Sequence, residues 1–192
     1  MIRAILFDCF GVLVGQGFDA TWRRAGGDPD QDRGFIEDLL GATNIGLISL
    51  DDMTTRVCEK LHITPEQWAD VVADTERADQ ELLDYIRVML KPQYKVAVVS
   101  NANAGTLQRV MSPEQLAVFD TLVVSAEVGH IKPDPGIYTL AAEKLGLTSA
   151  ECVFTDDNTP YCDGAEAVGM QSIHFRDREQ FIRELEAILN HT

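Results

Sequence analysis

The chain has 192 residues, enough for one compact domain with a modest insertion but tight for two full enzyme domains. Hydrophobic residues at 45% and charged residues at 24% describe an ordinary globular chain and exclude a disordered or fibrous one. Its 31 acidic and 16 basic residues leave a net charge of -15, which argues against nucleic-acid and membrane partners, although a bound cation and one lysine can still make a local site for a small anion.

The first expected element is a buried strand over residues 2–7, an apolar run too short for a signal peptide and closed by Asp8. Residues 15–90 then read as helical stretches, among them 35–40, 50–61, 65–74 and 80–90, with a turn-rich Gly26-Gly27-Asp28-Pro29-Asp30 link. Further strands are expected at 95–99, 121–124 and 152–155, with a weaker one at 171–175. Helical patterns at 105–111, 135–145, 161–168 and 178–189 alternate with them. Strands alternating with helices predict a parallel sheet with right-handed crossovers. The expected fold is α/β, a Rossmann-like parallel sheet core over 1–14 and 90–192 with an inserted all-helical cap over 15–89.

No run approaches the roughly 18 apolar residues of a membrane span. Cys9, Cys58, Cys152 and Cys162 form neither a CxxC pair nor a pattern with histidine at metal-ligand spacing, so reduced thiols and a cytoplasmic setting are expected. Oligomeric state carries no signal.

Ligands of open α/β sheets bind beyond the carboxyl ends of the strands. Here those ends carry Asp8, Ser100-Asn101, Lys132 some residues after the third strand, and Asp156-Asp157. Taken singly, each has an ordinary reading: a turn or cap acid, turn polar residues, a solvated lysine, a capping pair. Two adjacent carboxylates nevertheless repel unless a proton or a cation relieves them, and Mg2+ prefers such oxygen ligands.

Asp8-Cys9-Phe10-Gly11-Val12-Leu13, Val99-Ser100-Asn101, Lys132-Pro133-Asp134-Pro135 and Phe154-Thr155-Asp156-Asp157 resemble the four ordered motifs of the haloacid dehalogenase superfamily. The cap stretch Gly46-Leu47-Ile48-Ser49-Leu50-Asp51-Asp52 is similar to the branch containing sugar-phosphate phosphatases and the amino-terminal domain of soluble epoxide hydrolases. The resemblance implies a hydrolase in which Asp8 is a covalent nucleophile and Lys132 neutralises it and the transferring group. It further implies a substrate-binding set of Ser100, Asn101, Lys132 and Gly11, in which Ser100 and Asn101 bind substrate oxygens and Gly11 permits the turn behind the nucleophile. Asp8, the Phe10 carbonyl and Asp157 would hold Mg2+, with Asp156 a ligand or supporting partner. The implied substrate is a small phosphorylated metabolite, hydrolysed as a phosphate monoester.

Phe10 departs from the pattern, because phosphatases of this superfamily usually carry a second Asp there to protonate the leaving alkoxide and later activate water. Three readings follow: a magnesium-dependent phosphatase that manages without that Asp, a metal-independent 2-haloacid dehalogenase, or a catalytically weak binding or regulatory protein. Dehalogenating members carry an aromatic at this position but lack the Asp-Asp pair. His130 is a candidate for the missing proton donor. Trp22, Arg23 and Arg24 are candidate substrate-facing cap residues, Trp22 reading better as a packing residue.

Overall fold

The computed structural model describes residues 1–15 and 17–190. Gln16, inside the expected cap, and His191 and Thr192, inside the expected core, lie outside the described residues. After strand β1 (Ala4–Phe7) come helices α1 (Phe18–Arg24), α2 (Arg33–Asn44), α3 (Leu50–Leu61), α4 (Pro65–Thr75) and α5 (Gln80–Tyr85), the last continued by a π-helical turn over Ile86–Leu90. Then follow β2 (Lys95–Ser100), α6 (Thr106–Val110), α7 (Pro113–Leu116), β3 (Thr121–Val124), α8 (Ser125–Val128), α9 (Pro135–Lys144), β4 (Cys152–Asp156), α10 (Thr159–Ala167), β5 (Gln171–His174) and α11 (Arg178–Asn190).

All five strands are parallel, in the order β3-β2-β1-β4-β5, so β1 sits at the centre. A parallel sheet covered on both faces needs strands apolar on both faces. Ile5, Phe7, Val96, Val98 and Val153 pack to one side against Leu82, Ile86, Leu107 and Phe181. Ala4, Leu6, Ala97, Val99 and Phe154 pack to the other side against Ile137, Tyr138, Ala141 and Ala165. The Rossmann-like parallel sheet expected from the sequence is the observed one.

A third cluster holds Trp22, Ile36, Leu39, Val57 and Trp68, all from α1 to α4. Trp22 is fully buried and its indole Nε1 donates to Asp32 at 3.0 Å. Gly27 passes so close that a Cβ there would lie 2.2 Å from that nitrogen, which explains one glycine of the Gly26-Gly27 turn. The helix Gln80–Tyr85 and its π-helical turn place Leu82, Leu83, Ile86 and Leu90 with the sheet and not with this cluster. We therefore infer a cap over about residues 18–75, ending before the expected boundary at 89.

The Ser49-Asp52 part of the similar cap stretch is a capping box at the start of α3. Beside it the cap meets the core. Asn103 Nδ2 donates to the Ile48 carbonyl at 2.9 Å and Ser125 Oγ to the Asn44 carbonyl at 2.6 Å.

Candidate active site

Strand register determines which side chains meet at the sheet edge. Phe7 pairs with Thr155, and the Asp8 amide donates to the Thr155 carbonyl at 2.9 Å, so Asp8 and Asp156 leave adjacent strands side by side. Two buried carboxylates so placed would repel without a counterion. Lys132 supplies it: Nζ lies 2.6 Å from Asp8 Oδ1 and 2.6 Å from Asp156 Oδ2, with the lysine side chain 1% exposed. The ammonium also faces the rings of Tyr161 and Phe154, 5.0 and 5.4 Å from their centroids.

Asn101 holds this lysine in place. Its Oδ1 accepts from the Lys132 amide at 2.8 Å and its Nδ2 donates to the Lys132 carbonyl at 2.9 Å. Asn101, expected to bind substrate, thus grips the lysine loop with both ends of its amide while also lining the cavity above Asp8. Downstream, Asp134 caps α9, its Oδ1 accepting from the Gly136 amide at 2.6 Å.

Asp156 accepts a second hydrogen bond, from the Asn158 amide to Oδ1 at 2.9 Å, which leaves Asp8 and Asp157 with the freer oxygens. Gly11, expected among the substrate-binding residues, lies instead against Asp157. Its φ is +89° and a Cβ there would fall 2.4 Å from Asp157 Oδ2, so only glycine fits. The Asp157 carbonyl receives His174 Nε2 at 2.9 Å.

Asp8, Asp156 and Asp157 each offer an oxygen within 4.8 Å of the others. Burial pushes Asp8 up to about 7; Lys132 opposes the shift and the Asp156 charge adds to it. Burial likewise raises Asp156, against Lys132, and raises Asp157, with the Asp8 charge adding. Burial works against the Lys132 ammonium too, but Asp8 and Asp156 outweigh it and hold its pKa above the ordinary range. Three carboxylates against one ammonium leave a net negative floor, a donor set that fits a hard divalent cation such as Mg2+. Among the described residues the Phe10 carbonyl accepts no backbone hydrogen bond outside the helices and strands.

Above this floor a cavity of ≈ 700 Å³ separates core from cap. Asp8, Phe10, Ser100, Lys132 and Asp157 line its base, while Phe18, Arg33, Ile36, Leu40 and Met53 line its cap side. The Ser100 hydroxyl is buried without a partner, as is that of Thr106 on the same wall. Such orphaned hydroxyls carry a desolvation cost that a bound ligand would relieve. Ser100 thus lines the same cavity as Asp8 and Lys132.

Other expectations are moved. His130 is absent from the cavity lining and sits over Asp134, 3.5 Å away. Arg24 pairs with Asp74, and neither it, Arg23 nor Trp22 lines the cavity; Arg33 and Arg109 do. A second cavity of ≈ 770 Å³, on the side of Gly11 and Val12, is lined by two ion pairs, Asp79 with Arg178 and Arg77 with Asp74, and by Asp177 and Glu179. It lacks the carboxylate cluster, so the chemistry belongs to the former.

Comparison with known proteins agrees with this geometry. The chain is 26% identical over 215 residues to bifunctional epoxide hydrolase 2 of Sus scrofa, across 97% of this chain but only 39% of that protein. It is 24% identical to D-ribitol-5-phosphate phosphatase of Bacteroides thetaiotaomicron across 99% of this chain and 100% of the relative. Its fold matches that of a Bacteroides thetaiotaomicron enzyme solved in complex with magnesium and inorganic phosphate, with a TM-score of 0.73 and 21% identity, covering 92% of this chain and 95% of the other. A family model described as haloacid dehalogenase-like hydrolase matches residues 2–169, and the chain belongs to that family of hydrolases.

Proposed function

We propose that the protein is a magnesium-dependent phosphatase acting on a small phosphate monoester through a phospho-aspartate at Asp8. The observation that carries this reading is the cluster of Asp8, Asp156 and Asp157 around one buried lysine, beneath a cavity with an unpartnered Ser100 hydroxyl. The phosphatase that matches this chain over its whole length supports it, as do the magnesium and phosphate held by the similar Bacteroides structure. The four cysteines are buried and unpaired, which fits a cytoplasmic setting. No helix among the described residues is long and apolar enough to cross a membrane.

In this reading an Asp8 oxygen attacks phosphorus as the bond to the ester oxygen breaks, and water later releases phosphate from Asp8. Lys132 favours the ionised form of Asp8 against burial and neutralises charge on the transferring group, while Ser100 donates to a phosphoryl oxygen. A Mg2+ held by Asp8, Asp157 and the Phe10 carbonyl would supply further charge neutralisation. The cap closes over the leaving group and excludes water.

A panel of phosphorylated metabolites assayed with and without magnesium tests the reading. Phosphate release in magnesium and none in chelator is expected. Halide release from 2-haloacids in chelator would instead support a dehalogenase, the alternative that Phe10 favours.

Metal binding should also show in stability. A carboxyl raised above its ordinary value of 3.8 holds its proton more tightly in the folded protein than in the unfolded chain. Its stabilising contribution is therefore present at low pH and is lost as pH rises towards and through about 7. A divalent cation replaces those protons most effectively above that range. At 100 times its Kd, Mg2+ would add about 2.7 kcal/mol, or roughly 5–10 °C in Tm. Thermal melts should show that rise at pH 8 and little of it at pH 5, with Asp157→Asn reducing it. An equal shift at both pH values, or none, would count against this site.

A further inference from the structure

Phe10 cannot donate a proton, yet the cavity that holds Asp8 contains another carboxyl, Glu76. Its side chain is 11% exposed, and its only ion pair among the described residues is with Arg109, whose Nη2 donates to Oε2 at 2.9 Å. Oε1 makes no hydrogen bond among the described residues. Arg109 lines the same cavity, one helical turn beyond the unpartnered Thr106 hydroxyl on α6.

The backbone explains why Glu76 arrives here. As the chain leaves α4 it runs antiparallel to the turn that follows β1. The Gly15 amide donates to the Arg77 carbonyl at 3.0 Å, the Asp79 amide to the Leu13 carbonyl at 2.8 Å, and Val14 bridges Ala78. Val14 also bridges Phe10 from its other side. The segment carrying Glu76 is thus laddered to the turn that carries the unsuitable residue.

We propose that Glu76 is the general acid and base of this site, performing the proton transfers that Phe10 cannot, with Arg109 as its positioning residue. The proposal rests on the phosphatase reading. As the Asp8 oxygen bonds to phosphorus and the ester P–O bond breaks, the electron pair goes to the leaving oxygen and the Glu76 proton follows it, giving the alcohol and a carboxylate beside Arg109. Water then attacks phosphorus and gives a proton to Glu76 as the bond to Asp8 breaks. Phosphate, free Asp8 and protonated Glu76 result, so the sum is hydrolysis of the ester.

The surroundings suit both states. Burial raises the Glu76 carboxyl above the ordinary glutamate range while Arg109 opposes the shift, so burial favours the protonated form and Arg109 the carboxylate. The Cys9 thiol feels both Glu76 and Arg109; Arg77, on the segment of Glu76 itself, pairs with Asp74.

The test compares p-nitrophenyl phosphate with an alkyl phosphate in rapid-mixing experiments on the magnesium-loaded protein. General acid catalysis is worth about 10²–10⁴-fold and matters most for a basic leaving group. Glu76→Gln keeps an oxygen for Arg109. It should release nitrophenol in a burst at the wild-type rate, stall as phospho-Asp8 detectable by mass, and cleave the alkyl ester at least about 10²-fold more slowly. A second variant, Arg109→Gln, leaves the carboxyl without its cation and should move the alkaline limb of the alkyl-ester pH profile upward. Equal effects of Glu76→Gln on both bursts, no effect on either, or an unmoved limb in Arg109→Gln would overturn the assignment while an Asp8-dependent burst upheld the phosphatase. Absence of any Asp8-dependent burst in the wild type would overturn both.

Discussion

Replacing Asp8 with Asn is expected to lower turnover by more than about 10³-fold, the scale on which removal of a covalent nucleophile normally acts, and to leave the fold intact. Asn matches Asp in shape and keeps an oxygen that can face Lys132, now 2.6 Å from Asp8 Oδ1. What it lacks is the negative charge and the electron pair that attack phosphorus. Stability should not fall, because the substitution relieves one of three crowded carboxylates, two of them buried. In the metal-free protein at pH 8, well above the Asp8 value of about 7, Tm should stay level or rise. Phosphate release and the melting curve are measured on the same preparation, with intact mass excluding deamidation back to Asp. Turnover above a few per cent of wild type, with deamidation excluded, would rule out the covalent route.

The positions of Asp8, Ser100, Lys132, Asp156 and Asp157 were readable because a parallel sheet announces itself. Strands sandwiched between helices must be apolar throughout, as Ala4–Phe7 and Cys152–Asp156 nearly are, and the polar residues at their ends stand out by contrast. Helices are announced less well when short. α1, with Phe18 and Trp22 as its apolar pair, and the four-residue α7 offered too few turns for periodicity to register. Periodicity also shows that a helix has an apolar face without saying what the face meets, so Gln80–Leu90 read as cap although its buried residues belong to the sheet cluster.

Long-range pairing was the other barrier. Asn101 has the composition of a substrate donor, and its use as a clamp depends on a partner 31 residues away. Glu76 meets Arg109 across 33 residues and is one of 31 acids in an acidic chain, so no local pattern singles it out. What the fold adds is burial: most of those acids are solvated, whereas Glu76 is drawn under the cap beside the turn that holds Phe10.

The substitution with the largest combined effect should be Lys132→Met, which keeps most of the unbranched side chain but removes the ammonium and its approach to the Phe154 and Tyr161 rings. Asp8 and Asp156 would then face each other in a buried site with no ammonium between them. Removing one partner of a buried ion pair typically costs about 3–5 kcal/mol, because the remaining charge stays desolvated. Since a carboxyl can escape that cost by protonating, the loss should be greatest at pH 8 and should shrink as pH falls from about 7 towards 5, the direction given by the raised Asp8 and Asp156 values. Activity should fall at least about 10²-fold, since the same ammonium neutralises the transferring group. Adding Asp156→Asn removes one of the stranded charges, so the double variant should melt above Lys132→Met alone, and a double-mutant cycle measures the coupling. If the Tm deficit were the same at pH 5 and pH 8, and the two substitutions simply added, Lys132 would be acting through packing against the two rings. The buried charge triad would then not be what organises the site.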